Sequence, residues 1–221
     1  SIGGYLNPDY EKIVALQPDI IIMLPNLEME RKLQNLGLRT FTLPDETVEQ
    51  ILHSIKTIGR LLNHEQQAQA LVQGIRDTLS WVAEQTTVDD SISTLLIVGR
   101  EANSLKGLYA AGEDTYLSEI LQLCGGTNVF ADIDSRYFDV SKEAVIQRNP
   151  KAIFELRIID AHDQSNQVSK LKQDWQQLPI LQAVKLNRIY LFTERYFQIP
   201  GPRISQIAVA FYQAMHQVNL D

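Results

Sequence analysis

The sequence has few residues that could support thiol or metal chemistry. It contains one cysteine, Cys124, and four histidines at scattered positions. A single cysteine excludes an intramolecular disulfide and does not indicate the redox compartment. Beside the Gly125-Gly126 turn, we interpret Cys124 as a small buried apolar residue. A metal site needs several ligands at regular spacing, so we interpret all four histidines as exposed polar residues. They are His53, His64, His162 and His216.

Long apolar runs and clusters of positive charge are also missing. No run approaches the roughly 20 apolar residues that a membrane helix needs, so direct membrane insertion is not expected. Twenty Lys and Arg against 27 Asp and Glu give a net charge of -7. This acidic balance, with no basic run to offset it, argues against nucleic acid as a partner.

Motifs for catalysis are absent as well. The sequence has no phosphate-binding G-x-x-x-x-G-K-[ST] loop, no G-x-S-x-G elbow and no H-E-x-x-H pair. No pair of carboxylates is distinguished by its spacing as an acid and a base. We therefore expect a protein that is not an enzyme and has no resident cofactor.

Alternating strand and helix patterns dominate what is present. Residues 20–24 form an apolar run typical of a strand buried on both faces, and a helix over 27–36 and a strand over 39–43 follow. Asn7-Pro8 predicts the start of an earlier helix. The alternation indicates an α/β fold, whose first block has two clear strands and lacks an opening one.

Helical patterns then fill residues 47–86. Thr47 with Gln50, and Asn63 with Gln66, match the spacing of capping boxes. From 64 to about 84, Gly74 is the only helix-weakening residue, which predicts a single helix on the order of 30 Å long. We predict that 1–63 is the remainder of an N-terminal α/β lobe, 64–86 a connecting helix and 87–221 a C-terminal α/β lobe.

A second α/β block follows this helix. Apolar runs predict strands over 94–98, 152–156 and 188–192, and helical patterns cover 115–123, 141–147 and 204–218. The stretch between the last two strands is polar and carries no clear pattern.

Four stretches, taken in order, resemble the periplasmic binding proteins that carry siderophores, cobalamin or haem. They are GGYLNPDYEKIVALQPD at 3–19, GLYAAGEDTYLSEILQLCGGTNVF at 107–130, VSKEAVIQRNP at 140–150 and YFQIPGPR at 196–203. The resemblance covers nearly the whole chain. It implies the class III fold of that family, in which a single long helix joins two Rossmann-like α/β lobes. The family's opening strand-helix-strand segment and export signal have no counterpart, so we expect an incomplete first lobe and a removed signal peptide.

The resemblance also implies a ligand site in a cleft between the lobes, lined by aromatic side chains. The matching positions are Tyr5 and Leu24 on the first lobe, and Tyr109, Tyr137, Tyr196 and Phe197 on the second. Aromatic faces give a broad organic chelate a large, stiff contact surface. We expect Tyr5, Tyr109 and Tyr137 in loops or turns.

Arginines would supply the polar contacts of this site. Arg203 follows Pro-Gly-Pro at the start of the last helix, and an Arg fork can bind an oxyanion or stack on a ring. Arg100, Arg136 and Arg195 are expected near the cleft edge. If several of these arginines face inward, an anionic siderophore is favoured. If Arg203 alone does, a neutral corrinoid fits better.

Two carboxylates match the residues with which family members dock onto their transporter. Glu11 lies in the first lobe and Glu143 in the second, so that each could face one subunit of a permease dimer. The resemblance thus implies the substrate-binding component of an ABC importer for a ferric siderophore or a cobalamin-type corrinoid. It would be periplasmic, or lipid-anchored outside the cell of a Gram-positive source. The alternatives are a haem carrier of the same class, or a sensory or interaction module without transport.

Overall fold

The computed structural model describes residues 1–4, 7–86, 91–159 and 164–217. The chain divides into two compact units, Ser1–Asp45 and Glu46–Asp221. Each has its own sheet: two strands in the first unit and six in the second.

The first unit is a small α/β layer. It contains α1 (Tyr10–Ala15), β1 (Ile21–Met23), α2 (Leu27–Asn35) and β2 (Thr40–Thr42). The two strands are parallel, with Ile22 opposite Phe41, which confirms the predicted strand-helix-strand order. The predicted helix start at Asn7-Pro8 is wrong, because the N-cap is Asp9, whose carboxylate accepts a hydrogen bond from the backbone N–H of Lys12 at 3.1 Å.

Two long helices open the second unit. In α3 (Val48–Leu61), Thr47 and Gln50 form the predicted capping box. The helix α4 (Glu65–Gln85) has 21 residues and confirms the predicted long helix. The second capping box is wrong, because Asn63 adopts a left-handed φ of 56° and the N-cap, His64, makes no side-chain capping bond. Gly59 lies so close to Ala68 that an added Cβ would collide with it.

The boundary between the units differs from the predicted one. The division falls between Asp45 and Glu46, whereas the prediction separated the first lobe from the connecting helix after Asn63. The physical reason is the amphipathic face of α3. Its buried residues Ile51 and Leu52 share a core with Val72 and Ile75 of α4, so α3 packs with the second unit.

The sheet of the second unit is mixed. Its strands are β3 (Ile92–Gly99), β4 (Leu108–Ala111), β5 (Gly126–Asn128), β6 (Tyr137–Val140), β7 (Ala152–Leu156) and β8 (Ile189–Phe192). Their order is β6-β4-β3-β7-β8, with β5 beside the start of β3. β5 and β7 run parallel to β3, and β8 runs parallel to β7. β4 is antiparallel to both of its neighbours, β3 and β6. The predicted strands correspond to β3, β7 and β8.

Helices cover both faces of this sheet. They are α5 (Tyr116–Leu123), α6 (Lys142–Arg148), α7 (Gln164–Asp174), α8 (Gln182–Lys185) and α9 (Ile204–His216). One core cluster joins the sheet to α3, α4, α5 and α9, and a second joins the other face to α6, α8 and the buried Trp175. The layered α/β class is therefore confirmed.

Candidate ligand-binding and docking sites

An aromatic pair stands on neighbouring strands of the six-stranded sheet. Tyr109 of β4 pairs with Asp139 of β6, so that Tyr137 is its diagonal neighbour. The two rings are stacked, with centroids 6.2 Å apart and planes at 21°. Tyr109 remains 41% exposed, so its ring presents a broad aromatic surface. The prediction that both tyrosines lie in loops or turns is wrong, because both belong to hydrogen-bonded strands.

A short 3-10 turn, Arg195–Gln198, lies over the carboxyl ends of two central strands. The Gln198 amide fixes it there, because Nε2 donates to the carbonyl of Val98 at 2.8 Å and to that of Leu156 at 2.7 Å. Val98 belongs to β3, and the next residue of that strand, Gly99, pairs with Tyr109. The tyrosine pair and the turn therefore share the carboxyl edge of the sheet, where ligands bind in open α/β folds.

The two aromatic residues of this turn have different surroundings. Tyr196 is half-buried, and burial, followed by the nearby carboxylate of Glu194, raises the pKa of its hydroxyl. Phe197 is 4% exposed and packs against Phe192 and Phe211 in the core. The assignment of Phe197 to a ligand surface is therefore corrected: its ring anchors the turn from below, while that of Tyr196 remains partly accessible.

Arg203 and Tyr196 form one group. The guanidinium carbon of Arg203 lies 5.4 Å from the centre of the Tyr196 ring, and Arg203 itself is exposed. A guanidinium over an aromatic face is attracted by the ring quadrupole, which holds the long side chain in place. The predicted Arg203 is thus brought beside one of the predicted aromatics.

The other three arginines do not form a common cationic surface. Arg100 has a fully buried side chain that pairs with Glu155 at 2.9 Å and Asp174 at 2.8 Å. Its placement at a cleft edge is therefore wrong, because its charge is neutralised inside the protein. Arg136 pairs with Glu46 at 2.8 Å near the surface, and Arg195 is exposed on the 3-10 turn.

Two of the predicted contacts, Tyr5 and Leu24, belong to the first unit. Leu24 directly follows β1 and is 40% exposed, so it offers an apolar surface of that unit. Tyr5 lies outside the described residues.

Both predicted docking carboxylates occupy the first turn of a short helix. Glu11 lies in α1 and Glu143 in α6, and both are exposed. Ser141 caps α6 by accepting the backbone N–H of Ala144 at 3.1 Å. Carboxylates are stable at this end of a helix because they face its free N–H groups. Within the described ranges, neither carboxylate has a side-chain partner, so both remain open to a protein surface.

The described residues offer no resident metal site. No group of three or more His, Cys, Asp or Glu residues among them could hold an ion. Cys124 is fully buried, and burial raises the pKa of its thiol to about 12. No helix in the described part of the chain is both long and apolar enough to cross a membrane.

Two residues that line a further cavity at this sheet edge were missed by the sequence reasoning. Arg157 directly follows the buried strand β7, and Lys170 belongs to α7 in the polar stretch that showed no clear pattern. The sequence feature that could have identified Arg157 is its position directly after a buried parallel strand. Side chains at such positions lie at the carboxyl edge of the sheet, where ligands bind.

Comparisons with known proteins bear on the family and the fold of the chain. A family model described as periplasmic binding protein matches residues 1–196. A vitamin B12-binding protein of Salmonella typhimurium is 26% identical in an alignment 221 residues long, which covers 99% of this chain and 77% of that protein. Among solved structures, the periplasmic vitamin B12-binding protein of Vibrio cholerae superposes with a TM-score of 0.79 at 23% identity, covering 98% of this chain and 81% of that one. A periplasmic haem-binding protein of Pseudomonas aeruginosa gives a TM-score of 0.80 at 22% identity, covering 100% and 80%.

Proposed function

Because the chain belongs to the family of periplasmic binding proteins, we propose that it captures a metal chelate and delivers it to the permease of an ABC importer. It is a binding protein and not an enzyme. It works outside the cytoplasmic membrane, in the periplasm or on a lipid anchor. In support, a substrate-binding lipoprotein of Bacillus subtilis is 24% identical over 91% of this chain and 63% of its own length.

The observation that carries this proposal is the aromatic surface at the carboxyl edge of the six-stranded sheet. The stacked Tyr109 and Tyr137, together with Tyr196 under the Arg203 guanidinium, supply flat faces with polar tips. A metal chelate is a broad organic shell with polar groups around it. Such a shell is held mainly by the burial of aromatic area, with a few polar contacts for orientation.

A cobalamin-type corrinoid is the cargo we favour, ahead of a ferric siderophore or haem. Within the aromatic group, the arginine over a ring is Arg203, whereas Arg100 pairs with buried carboxylates and Arg136 with Glu46. One stacked guanidinium suits the broad, largely neutral surface of a corrinoid. The vitamin B12-binding relatives support the same choice.

The cargo is tested by titrating the protein with cyanocobalamin, haemin and ferric hydroxamate, catecholate and citrate complexes, with quenching of its fluorescence as the readout. We expect saturable sub-micromolar binding of one chelate, with cyanocobalamin first. Tyr109→Ala and Arg203→Ala should each weaken that binding about tenfold, the effect of losing one good contact.

The matched controls for this titration are Arg31→Ala, which removes an exposed arginine from α2, and Tyr212→Phe, which changes a tyrosine of α9. Both should bind as the wild type does. If no chelate bound, the transport proposal would give way to a sensory or interaction role for the same fold.

The docking carboxylates are tested by uptake. We propose that Glu11 and Glu143 pair with basic sockets on the two permease subunits, since both are exposed and without described partners. In cells, the double variant Glu11→Ala and Glu143→Ala should bind the chelate normally but lose most uptake, at least about tenfold. The charge-matched control, Glu65→Ala with Glu84→Ala on the exposed side of α4, should retain uptake. Unchanged uptake in the first double variant, at equal protein abundance, would refute the docking role.

A further inference from the structure

A polar cavity lies at the carboxyl ends of β3 and β7, apart from the aromatic residues. Its volume is about 270 Å³. Three chain segments converge on it: the loop after β3, the residue after β7 and the middle of α7. Its lining residues are Ala102, Asn103, Arg157, Gln167, Lys170 and Leu171.

Both ionisable residues among the described lining residues are cationic, and no described carboxylate belongs to that lining. Arg157 is partly exposed and donates through Nη1 to the carbonyl of Arg100 at 3.2 Å, its one hydrogen bond to a described residue. Lys170 is exposed and has no partner in the described ranges. Asn103 and Gln167 add neutral amide groups. In a chain with a net charge of -7, such a lining attracts an anion locally.

A buried network holds all three walls of the cavity. Arg100 donates to the carbonyl of Ser104 in the loop at 2.6 Å, to the carbonyl of Leu171 in α7 at 3.0 Å, and to Glu155 in β7 at 2.9 Å. The indole N–H of Trp175 donates to the other oxygen of Glu155 at 2.9 Å. Arg100 therefore acts as a positioning residue, because its hydrogen bonds fix the distances between the segments that carry Arg157 and Lys170. A site held in this way loses little conformational freedom when it binds.

Two described carboxylates near this cavity, Glu155 and Asp174, are bound by protein groups. Glu155 is bound by Arg100 and Trp175, and Asp174 pairs with Arg100 at 2.8 Å. Arg157 forms a second ion pair with Glu155 at 3.9 Å, a distance too long for a hydrogen bond. Glu155 therefore offsets part of the charge of Arg157, whereas Lys170 has no counter-ion in the described ranges. Among described residues, Arg157 makes one hydrogen bond, so other N–H groups of its guanidinium can donate to a ligand.

We propose that Arg157 and Lys170 form an oxyanion subsite that binds a carboxylate or phosphodiester group of the cargo. This inference rests on the proposed function, since the cavity and the aromatic surface lie along the carboxyl edge of the same sheet and could contact different parts of one cargo. An Arg fork with a neighbouring Lys binds such an oxygen pair through charge-assisted hydrogen bonds. The phosphodiester of cobalamin and the propionates of haem are both suitable groups.

The subsite can be tested without any chelate, with citrate as the anion. In nitrogen-15 NMR spectra, the Nε–H signal of Arg157 is identified by its loss in Arg157→Gln. We expect metal-free citrate to shift this signal saturably, and Lys170→Gln to weaken citrate binding about tenfold, the effect of one charged contact. Lys170→Gln removes no described hydrogen bond, so it tests the subsite even if Arg157→Gln folds poorly. Lys172→Gln, which removes an exposed lysine from the same helix, is the matched control. The absence of a saturable shift, or equal citrate affinity in Lys170→Gln, would overturn the subsite.

Paired chelates then identify which oxyanion the cargo supplies. Cyanocobalamin is compared with dicyanocobinamide, which lacks the phosphodiester, and haemin with its dimethyl ester. For the pair that binds, the anionic member should bind about tenfold more tightly. This ratio should fall to about one in Arg157→Gln with Lys170→Gln. A ratio that stays the same in the double variant would overturn the inference while the proposed function stands. A citrate response without binding of any chelate would support the subsite and refute the proposed cargo class.

Discussion

At the scale of single residues, two arginines of the second unit have opposite surroundings. Arg203 is exposed and lies over the ring of Tyr196, whereas the Arg100 side chain is fully buried between two carboxylates. The sequence gives no sign of this difference, because the partners of Arg100 lie 55 and 74 residues further along the chain. A charged residue that follows a buried strand can bind a ligand or form an ion pair inside the protein, and tertiary packing decides which of the two occurs.

The buried network predicts a large loss of stability when its cation is removed. Arg100→Ala should lower the free energy of unfolding by about 3–5 kcal/mol, because Glu155 would stay buried without its partner. Urea denaturation followed by circular dichroism measures this. Arg76→Ala, which removes an exposed ion pair with Glu49, should cost about 1 kcal/mol or less. Similar losses in both variants would contradict the role of Arg100 in holding the cavity.

The single thiol should be unreactive in the folded protein. Burial raises the pKa of Cys124 from 9.0 to about 12, so only about one molecule in ten thousand carries the thiolate at pH 8. Labelling with a disulfide reagent should therefore be negligible at pH 8 in native protein. It should become faster as the pH rises toward 12 and reach one label per chain in urea. Rapid native labelling at pH 8 would show that the site opens.

At the scale of elements, helix α3 depends on the cap at its first turn. The Thr47 hydroxyl accepts the backbone N–H of Gln50 at 3.2 Å, and the Gln50 side chain accepts that of Thr47 at 3.4 Å. Thr47→Ala should cost about 0.5–2 kcal/mol of unfolding free energy. His64→Ala at the N-cap of α4, where no side-chain bond exists, should cost much less. Both are measured by thermal unfolding, and equal costs would contradict the capping role.

The sequence predicted elements well where local chemistry determines them. Buried parallel strands such as β7 and capped helices such as α5 follow from apolar runs and from Thr115 at the cap. The short strands β4, β5 and β6 were missed, because three or four residues carry too little periodicity and their pairing partners are distant. For this reason, Tyr109 and Tyr137 were expected in loops. The cavity around Arg157 was missed because it needs three separate segments.

At the scale of the whole molecule, the two units differ in how much core each contains. In the described part of 1–45, the buried apolar side chains are Ile13, Leu33 and Leu43, whereas the second unit has two extended clusters. Two-stranded sheets are weakly stable by themselves.

Hydrogen exchange should therefore distinguish the units. We expect the backbone amides of β1 and β2 to exchange through lower-energy openings than those of β3 and β7, since local stability follows buried contacts. Native-state exchange followed by mass spectrometry of peptides measures this. Equal protection in both sheets would mean that the chain opens as one cooperative unit.

The stacked tyrosines on β4 and β6 also have a consequence for the speed of capture. Both rings are carried by strands whose backbones are paired along their whole length, so this surface is formed before the cargo arrives. No loop has to become ordered around the ligand on this side. Association at this surface should therefore depend on ligand concentration and solvent viscosity, as expected for diffusional encounter with a preformed surface, and differences between cargoes should lie mainly in their residence times.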